Sequence, residues 1–145
     1  MSRLVSSTRA RVLTVAVASA AVALLGLGAV PTASAAPGGQ ISGTVTNAGG
    51  DPLAGITVTA YASDTGEFGD EATTKKDGTY ALKKLGAADY TVEFMDNSGT
   101  PLYATEYYDD QLSIFDADPV TVTAGGVTPA IDAELALGGH LSGTG

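Results

Sequence analysis

Apolar and polar residues alternate with a period of two in short segments from residue 40 onward, which is the pattern of β-strands that bury one face. The clearest segment places Val92 and Phe94 on one face and Thr91 on the other. We therefore expect Val92 and Phe94 to lie in the core and Thr91 to face solvent. The same alternation predicts strands at 41–46, 56–61, 72–75, 79–82, 90–95, 102–108, 120–122 and 131–137.

The connections between these segments are rich in residues that form turns, as at 47–52 and 96–101. Asp77-Gly78 separates two short predicted strands and predicts a β-hairpin, because glycine adopts a positive φ without steric cost. Residues 63–71 are polar and rich in acids, and 109–118 are acidic and weakly patterned; both are predicted to be loops, with one short helical turn as the alternative within 109–118. No segment after residue 36 has the 3.6-residue apolar period of an amphipathic helix. The pattern predicts an all-β fold, a single Greek-key-like sandwich of about seven strands.

The first 35 residues have the features of a signal peptide. A basic start precedes an apolar run from Val12 to Val30, and the small residues Ala33 and Ala35 form a site for signal peptidase. An uncleaved membrane anchor is the alternative, because the run is close to the ~20 residues that span a bilayer. Its many alanines and glycines make it a weak anchor, so we expect cleavage after Ala35 and a secreted, extracellular product. No lipid anchor is expected, because the chain has no cysteine.

The expected organisation is a signal peptide at 1–35, a flexible lead at 36–39, one β-sandwich at 40–137 and a tail at 138–145. All three arginines lie in the signal peptide, so the exported chain keeps four lysines and all 16 acidic residues, a net charge of −12. Such an acidic surface repels nucleic acid and anionic membranes. Extracellular polysaccharides and protein partners are compatible with it, and we predict no membrane association after cleavage.

The tail at 138–145 repeats the start of the exported chain. The tail has the sequence GGHLSGTG, which is similar to GGQISGTV at 38–45. One interpretation is that the tail begins a second unit of a tandem array. The other is chance similarity between two segments rich in glycine and serine.

Four segments, in order and spacing, resemble the carboxypeptidase regulatory-like domain, a prealbumin-like sandwich related to the B-type repeats of bacterial collagen adhesins. They are ISGTVT at 41–46, PLAGITVT at 52–59, KDGTYAL at 76–82 and LGAADYTVEF at 85–94. The chain differs from the family pattern in one loop. The family usually has proline and glycine there, whereas this chain has Gly86, Ala88 and Asp89.

The resemblance implies a non-catalytic module, used in this family as a stalk, spacer or adhesin repeat. With the signal peptide, it predicts a secreted structural or interaction module. The family is also grouped with starch-binding-like sandwiches and occurs beside secreted polysaccharide hydrolases such as amylases. A carbohydrate-binding accessory domain is therefore the alternative function.

Residues suited to catalysis are few. The one histidine, His140, cannot form a zinc peptidase site or a Ser-His-Asp triad in the body of the domain. Glycoside hydrolysis needs two carboxylates in a cleft, one of them with a raised pKa. The acids here are predicted to lie at solvent-facing strand positions and in loops, where they stay ionised. We therefore predict that the chain is not an enzyme and has no catalytic residue, cofactor or metal site.

Two features are candidates for binding. The acids in 64–71 and 109–118 are of the type that calcium prefers, but neither loop has the spaced pattern of a calcium loop, and solvated surface acid is the preferred interpretation. Tyr103, Tyr107 and Tyr108 are candidate carbohydrate contacts, because exposed aromatic rings pack against sugar faces. Alternation places Tyr103 and Tyr107 on one face and Tyr108 on the other. The alternative is that these rings pack on the sandwich or cover its edge.

Overall fold

Nine β-strands make up the regular structure of residues 36–139, the part of the chain that the computed structural model describes. Among these residues, no helix is long and apolar enough to cross a membrane. The predicted signal peptide and residues 140–145 of the predicted tail lie outside the described residues. The strands are β1 (Gly39–Asn47), β2 (Thr57–Ala62), β3 (Phe68–Thr73), β4 (Thr79–Leu85), β5 (Ala88–Met95), β6 (Glu106–Tyr107), β7 (Val120–Val122), β8 (Val127–Thr128) and β9 (Ala133–Leu135).

The strands form two sheets. In the first sheet, β1 pairs antiparallel with β4, and its two halves pair in parallel with β8 and β9. The second sheet is antiparallel in the order β3-β2-β5-β6, with β7 paired to the beginning of β5. The apolar faces of the two sheets pack together, which confirms the predicted all-β sandwich.

The core consists of side chains that point inward from both sheets. Val92 and Phe94 are fully buried, as predicted. The Phe94 ring meets Tyr80 of the first sheet edge-on, with ring centroids 5.9 Å apart and planes at 77°, so this pair links the sheets. The buried Tyr80 hydroxyl donates a hydrogen bond to the carbonyl of Ile131 at 2.5 Å. The other buried apolar residues are Ile41, Val45, Ile56, Val58, Ala60, Leu82, Leu85, Tyr90, Val120, Val122, Ile131, Ala133 and Leu135.

The Asp77-Gly78 turn forms, but the predicted hairpin is wrong. Gly78 has a φ of 77° and donates its N–H to the carbonyl of Lys75 at 2.9 Å. However, β3 pairs with β2 and β4 pairs with β1, so the turn carries the chain from one sheet to the other. The Asp-Gly sequence determines the local reversal of the chain. Which strands pair is determined by the burial of apolar side chains in the rest of the sandwich.

Three predicted element boundaries also differ from the structure. Residues 68–71 were predicted as loop but belong to β3, an edge strand whose polar sequence gives no alternation signal. The predicted strand at 102–108 shortens to β6 and an isolated bridge between Tyr103 and Leu137. The last predicted strand shortens to β9, and Leu137 is exposed because the inward alternation ends at Leu135.

The outer face of the second sheet is covered at its centre. Thr91 points away from Phe94, as predicted, but it is only 8% exposed, so the prediction that it faces solvent is wrong. Its hydroxyl lies 3.2 Å from that of Ser63, and its neighbour Glu93 accepts a hydrogen bond from the Tyr107 hydroxyl at 2.9 Å. Neighbouring side chains shield Thr91 from solvent. The alternation pattern of a single strand does not reveal contacts made by other segments.

Candidate functional site

Glu106 is a carboxyl group buried at the edge of the sandwich. It pairs in register with Phe94, so its side chain points to the same side of the sheet as the Phe94 ring, toward the interior. Glu106 is 6% exposed, and its Oε1 is buried with no hydrogen-bond partner. A buried polar atom without a partner costs about 1–3 kcal/mol of stability. Hydrophobic packing does not explain why a carboxyl group occupies this buried position.

The environment of Glu106 raises the pKa of this carboxyl to about 7. Burial is the largest cause, because it disfavours the charged form. The like charges of Asp110, Glu134 and Asp109 raise the pKa of Glu106 further. The prediction that the acids of this chain face solvent and stay ionised is therefore wrong for Glu106. The sequence carried no signal for this burial, because Leu102, on the face that alternation assigns to residue 106, is itself exposed, and the chain leaves strand geometry between residue 103 and β6.

Acids from the two sheets converge around Glu106, and we call this group the acidic edge: Glu106, Asp109, Asp110, Asp132 and Glu134. All but Glu106 line a pocket of about 290 Å³, together with Thr46 and Ala133. Asp132 accepts the backbone N–H of Thr44 through Oδ1 at 2.8 Å, which fixes one of its oxygens. Within residues 36–139, no three acidic or histidine side chains are gathered closely enough to hold a metal ion as they stand. The acidic edge is thus a loose convergence of carboxylates.

The hydroxyl of Tyr108 lies beside the acidic edge. Burial, followed by the negative charges of Asp109, Asp118, Asp132 and Asp110, raises the pKa of Tyr108 above its ordinary value. The Tyr108 hydroxyl therefore remains protonated at neutral pH and is available as a hydrogen-bond donor to a carboxylate.

Stability should depend on pH through Glu106. The pKa of Glu106 rises from its ordinary value of 4.5 to about 7 on folding, so the folded chain holds this proton more tightly than the unfolded chain. This contribution to stability is complete below the unfolded pKa and is lost as pH rises through the folded pKa. We expect the melting temperature of the wild type to fall between pH 5.5 and pH 8, and Glu106→Gln to show a flatter profile.

Thermal melts at constant ionic strength measure this difference. Asp64→Asn is the matched control, because it removes an exposed acid that lies outside the acidic edge. If Glu106→Gln and the wild type lose stability equally over this pH range, the assignment of the titration to Glu106 is wrong.

The three candidate tyrosines do not share one surface. Tyr103 and Tyr108 pack, partly buried, against the core, whereas Tyr107 lies on the outer face of the second sheet and binds Glu93. The prediction that Tyr103 and Tyr107 lie on one face is wrong, because the chain leaves strand geometry between residue 103 and β6. Tyr108 lies opposite Tyr107, in agreement with the alternation. Carbohydrate contact by these residues stays a prediction.

An exposed apolar segment lies within 109–118, where the sequence predicted only an acidic loop. We call Leu112, Ile114 and Phe115 the apolar loop; Phe115 is 94% exposed, Leu112 75% exposed, and Ile114 is also exposed. Paired hydrogen bonds between the backbones of Tyr107 and Gln111, at 2.7 and 2.9 Å, hold its base. Adjacent exposed apolar side chains mark interaction surfaces more often than single scattered ones do. The sequence signal was LSIF at 112–115, set among aspartates.

Comparison with known proteins identifies a family and finds remote structural likenesses. The family model described as carboxypeptidase regulatory-like domain matches residues 40–136. No curated protein matches the chain. Among solved structures, the chain is similar to a 9R-lipoxygenase from Cyanothece PCC8801, with 16% identity over 68% of this chain and 16% of that chain, and a TM-score of 0.40. A likeness at this level has no bearing on function.

Proposed function

This chain belongs to the carboxypeptidase regulatory-like domain family, and on that premise we propose that it is a secreted, non-catalytic interaction module. The observation that carries the proposal is the apolar loop, which exposes three apolar side chains on a sandwich whose core is closed without them. Exposing such side chains has no benefit for the fold alone, so we assign them to binding another molecule.

The surroundings of the apolar loop define the chemistry of its partner. Four aspartates flank the loop in sequence: Asp109, Asp110, Asp116 and Asp118. An apolar projection with an acidic border fits a protein surface that has an apolar pocket bordered by lysine or arginine. Partners with an anionic surface are repelled by the same border.

The geometry of the carboxylates also supports a non-catalytic role. Burial raises the pKa of Glu106, as a general acid requires. Glu106 is nine-tenths buried and does not line the pocket formed by its acidic neighbours. A substrate bond therefore cannot approach it, and a pair of cooperating carboxylates for hydrolysis is not assembled.

Capture of extracellular proteins from the producing cells tests the proposal. We expect the secreted chain to retain a partner that Leu112→Ser/Phe115→Ser loses by roughly tenfold or more, because buried aromatic anchors dominate interface energies. Phe68→Ser is the matched control, since Phe68 is exposed on β3 at the opposite edge of the second sheet. All three proteins should melt at nearly the same temperature. Equal capture by the wild type and the loop variant would refute a role for the apolar loop.

Carbohydrate binding is the second candidate, and the position of Tyr103 favours it. Tyr103 borders a pocket of about 290 Å³ with Leu135 and Leu137, and a second pocket of about 400 Å³ with Pro101 and Leu102. A ring at the wall of an open pocket is suited to packing on a sugar. A glycan array should then give a signal that Tyr103→Ala abolishes and Tyr107→Ala retains, and an array without signal rejects this function.

Secretion is tested by the processing of the full chain. We expect mass spectrometry of the culture medium to find Ala36 at the amino terminus, because Ala33 and Ala35 meet the small-residue requirement of signal peptidase. Ala35→Arg should prevent this cleavage. Recovery of the intact wild-type chain in the membrane fraction would contradict the proposal.

A further inference from the structure

The two residues that follow Glu106 fasten both ends of the segment that carries the apolar loop. At one end, the backbones of Tyr107 and Gln111 exchange two hydrogen bonds, at 2.7 and 2.9 Å. At the other end, Asp118 donates its N–H to the carbonyl of Tyr108 at 2.6 Å. We call the N–H groups of Tyr107, Gln111 and Asp118 the loop ties. Since all of their hydrogen bonds involve this one stretch of chain, the position of the loop depends on where β6 lies.

The strand β6 is itself held by few hydrogen bonds. Its pairing with β5 covers Glu106 and Tyr107, and the Tyr108 N–H adds a bond to the carbonyl of Val92 at 3.0 Å. A short edge segment of this kind opens at a lower free energy than the central strands. A change at Glu106 is therefore able to displace β6 without unfolding the core.

Ionisation of Glu106 is such a change, because its surroundings oppose a negative charge. Its Oε1 is buried without a hydrogen-bond partner, and the lysines of residues 36–139 lie elsewhere, between β3 and β4 and in β4. The titratable groups around Glu106 are acids and protonated hydroxyls: Asp109, Asp110 and Tyr108 after β6, Glu93 on the outer face of β5, Tyr80 of β4, and Asp132 and Glu134 on the β9 side. An ionised Glu106 therefore gains stability by turning toward water.

We propose that Glu106 is a proton-controlled switch for the apolar loop. When Glu106 is protonated, it stays buried and β6 fastens both ends of the loop. When Glu106 gives its proton to solvent, the carboxylate turns outward, β6 is displaced and the loop is released from the sheet.

This inference rests on the proposed function of the apolar loop and adds its regulation. A loop that is held in one arrangement loses less conformational entropy on binding than a released one. We therefore expect the partner to be bound more tightly below neutral pH than above it.

Hydrogen exchange of the loop ties, measured by NMR on the secreted chain from pH 6 to pH 8, tests the switch without a partner. Relative to the intrinsic rate at each pH, their exchange should rise roughly tenfold, as linkage gives for a carboxyl whose pKa is about 7 when buried and 4.5 when exposed. The rise should not depend on urea at low concentration, because a local opening exposes little surface. Glu106→Gln keeps the shape of the side chain but cannot ionise, so it should show no rise.

Two exposed acids provide further variants. Glu134→Gln removes a like charge on the other sheet, so the midpoint of the rise should move to lower pH, by roughly half a pH unit. Asp64→Asn lies outside the acidic edge and should leave the midpoint in place. The switch is overturned if Glu106→Gln and the wild type respond equally to pH. It is also overturned if the loop ties exchange as slowly as the core strands and with the same dependence on urea.

Capture of extracellular proteins at pH 6 and pH 8 separates this inference from the proposed function. Capture by the wild type should fall from pH 6 to pH 8 more steeply than capture by Glu106→Gln, and equal falls would overturn the regulation while the apolar loop remains a binding site. Equal capture by the wild type and Leu112→Ser/Phe115→Ser at both pH values would instead reject the proposed function, and the exchange of the loop ties then decides the switch.

Discussion

Phe94→Ala should lower the free energy of unfolding by about 3–5 kcal/mol, because the variant loses the transfer energy of a fully buried ring and leaves a cavity. Phe94 also makes the edge-on contact with Tyr80 that links the two sheets, so the cavity would open between them. Urea denaturation followed by circular dichroism measures the loss as a lower midpoint at an unchanged slope.

Two threonines serve as controls for this experiment. Thr73 is exposed on the edge strand β3, and Thr73→Ala should change the free energy of unfolding by less than about 0.5 kcal/mol. Thr91 lies on the outer face of the same strand as Phe94 but is buried beside Ser63, so Thr91→Ala should cost about 1 kcal/mol. A Phe94→Ala loss no larger than that of Thr91→Ala would show that the inward face of β5 is misassigned.

Gly43→Ala should destabilise the domain by about 3 kcal/mol, at the upper end of the usual cost of overpacking. A Cβ at position 43 would lie 1.9 Å from the carbonyl oxygen of Ile131. That atom is backbone, so no side-chain rotation relieves the clash, and the segment before β9 has to move. The movement would disturb the Tyr80 hydroxyl, which donates to the same carbonyl, and the hydrogen bond that the Thr44 N–H of β1 donates to Asp132.

Gly99→Ala is the matched control for this variant. A Cβ at position 99 would meet no atom within 4 Å, and Gly99 does not have a positive φ. We therefore expect its unfolding midpoint to stay within the error of the wild type. If the midpoints of Gly43→Ala and Gly99→Ala agree, the close approach of β1 and the Ile131 segment is not a constraint on stability.

The close packing at Gly43 explains why this position is a glycine, which the alternation pattern alone does not explain. Gly43 occupies an inward-alternating position between Ile41 and Val45, where an apolar side chain would ordinarily be expected. The Ile131 segment fills that space with backbone, tied to β1 by the hydrogen bond from Ile131 N–H to the Ser42 carbonyl at 3.1 Å. A glycine inside an alternating strand is a known sign of close backbone approach. The sequence of β1 does not reveal which segment makes this close approach.

The apolar loop and the acidic edge were accessible to sequence reasoning to different degrees. The apolar loop stands in the sequence as LSIF among aspartates, so its composition was visible and only its exposure required the structure. For the acidic edge, the sequence does not reveal that Glu106 is buried, and Asp132 and Glu134 line the neighbouring pocket from the other sheet. Contacts between segments so distant along the chain follow from sheet packing, which local patterns do not specify.

The sequence by itself determined which residues of the main strands point inward, because a period of two is a local property of extended backbone. It likewise determined the reversal at Asp77-Gly78 and the acidic character of the exported chain. Only the tertiary structure decided that this reversal crosses between sheets, that Thr91 is covered, and that Glu106 is buried among acids. These outcomes depend on which distant segments pack together, and that choice is made by the burial and hydrogen bonding of the whole sandwich rather than by any one strand.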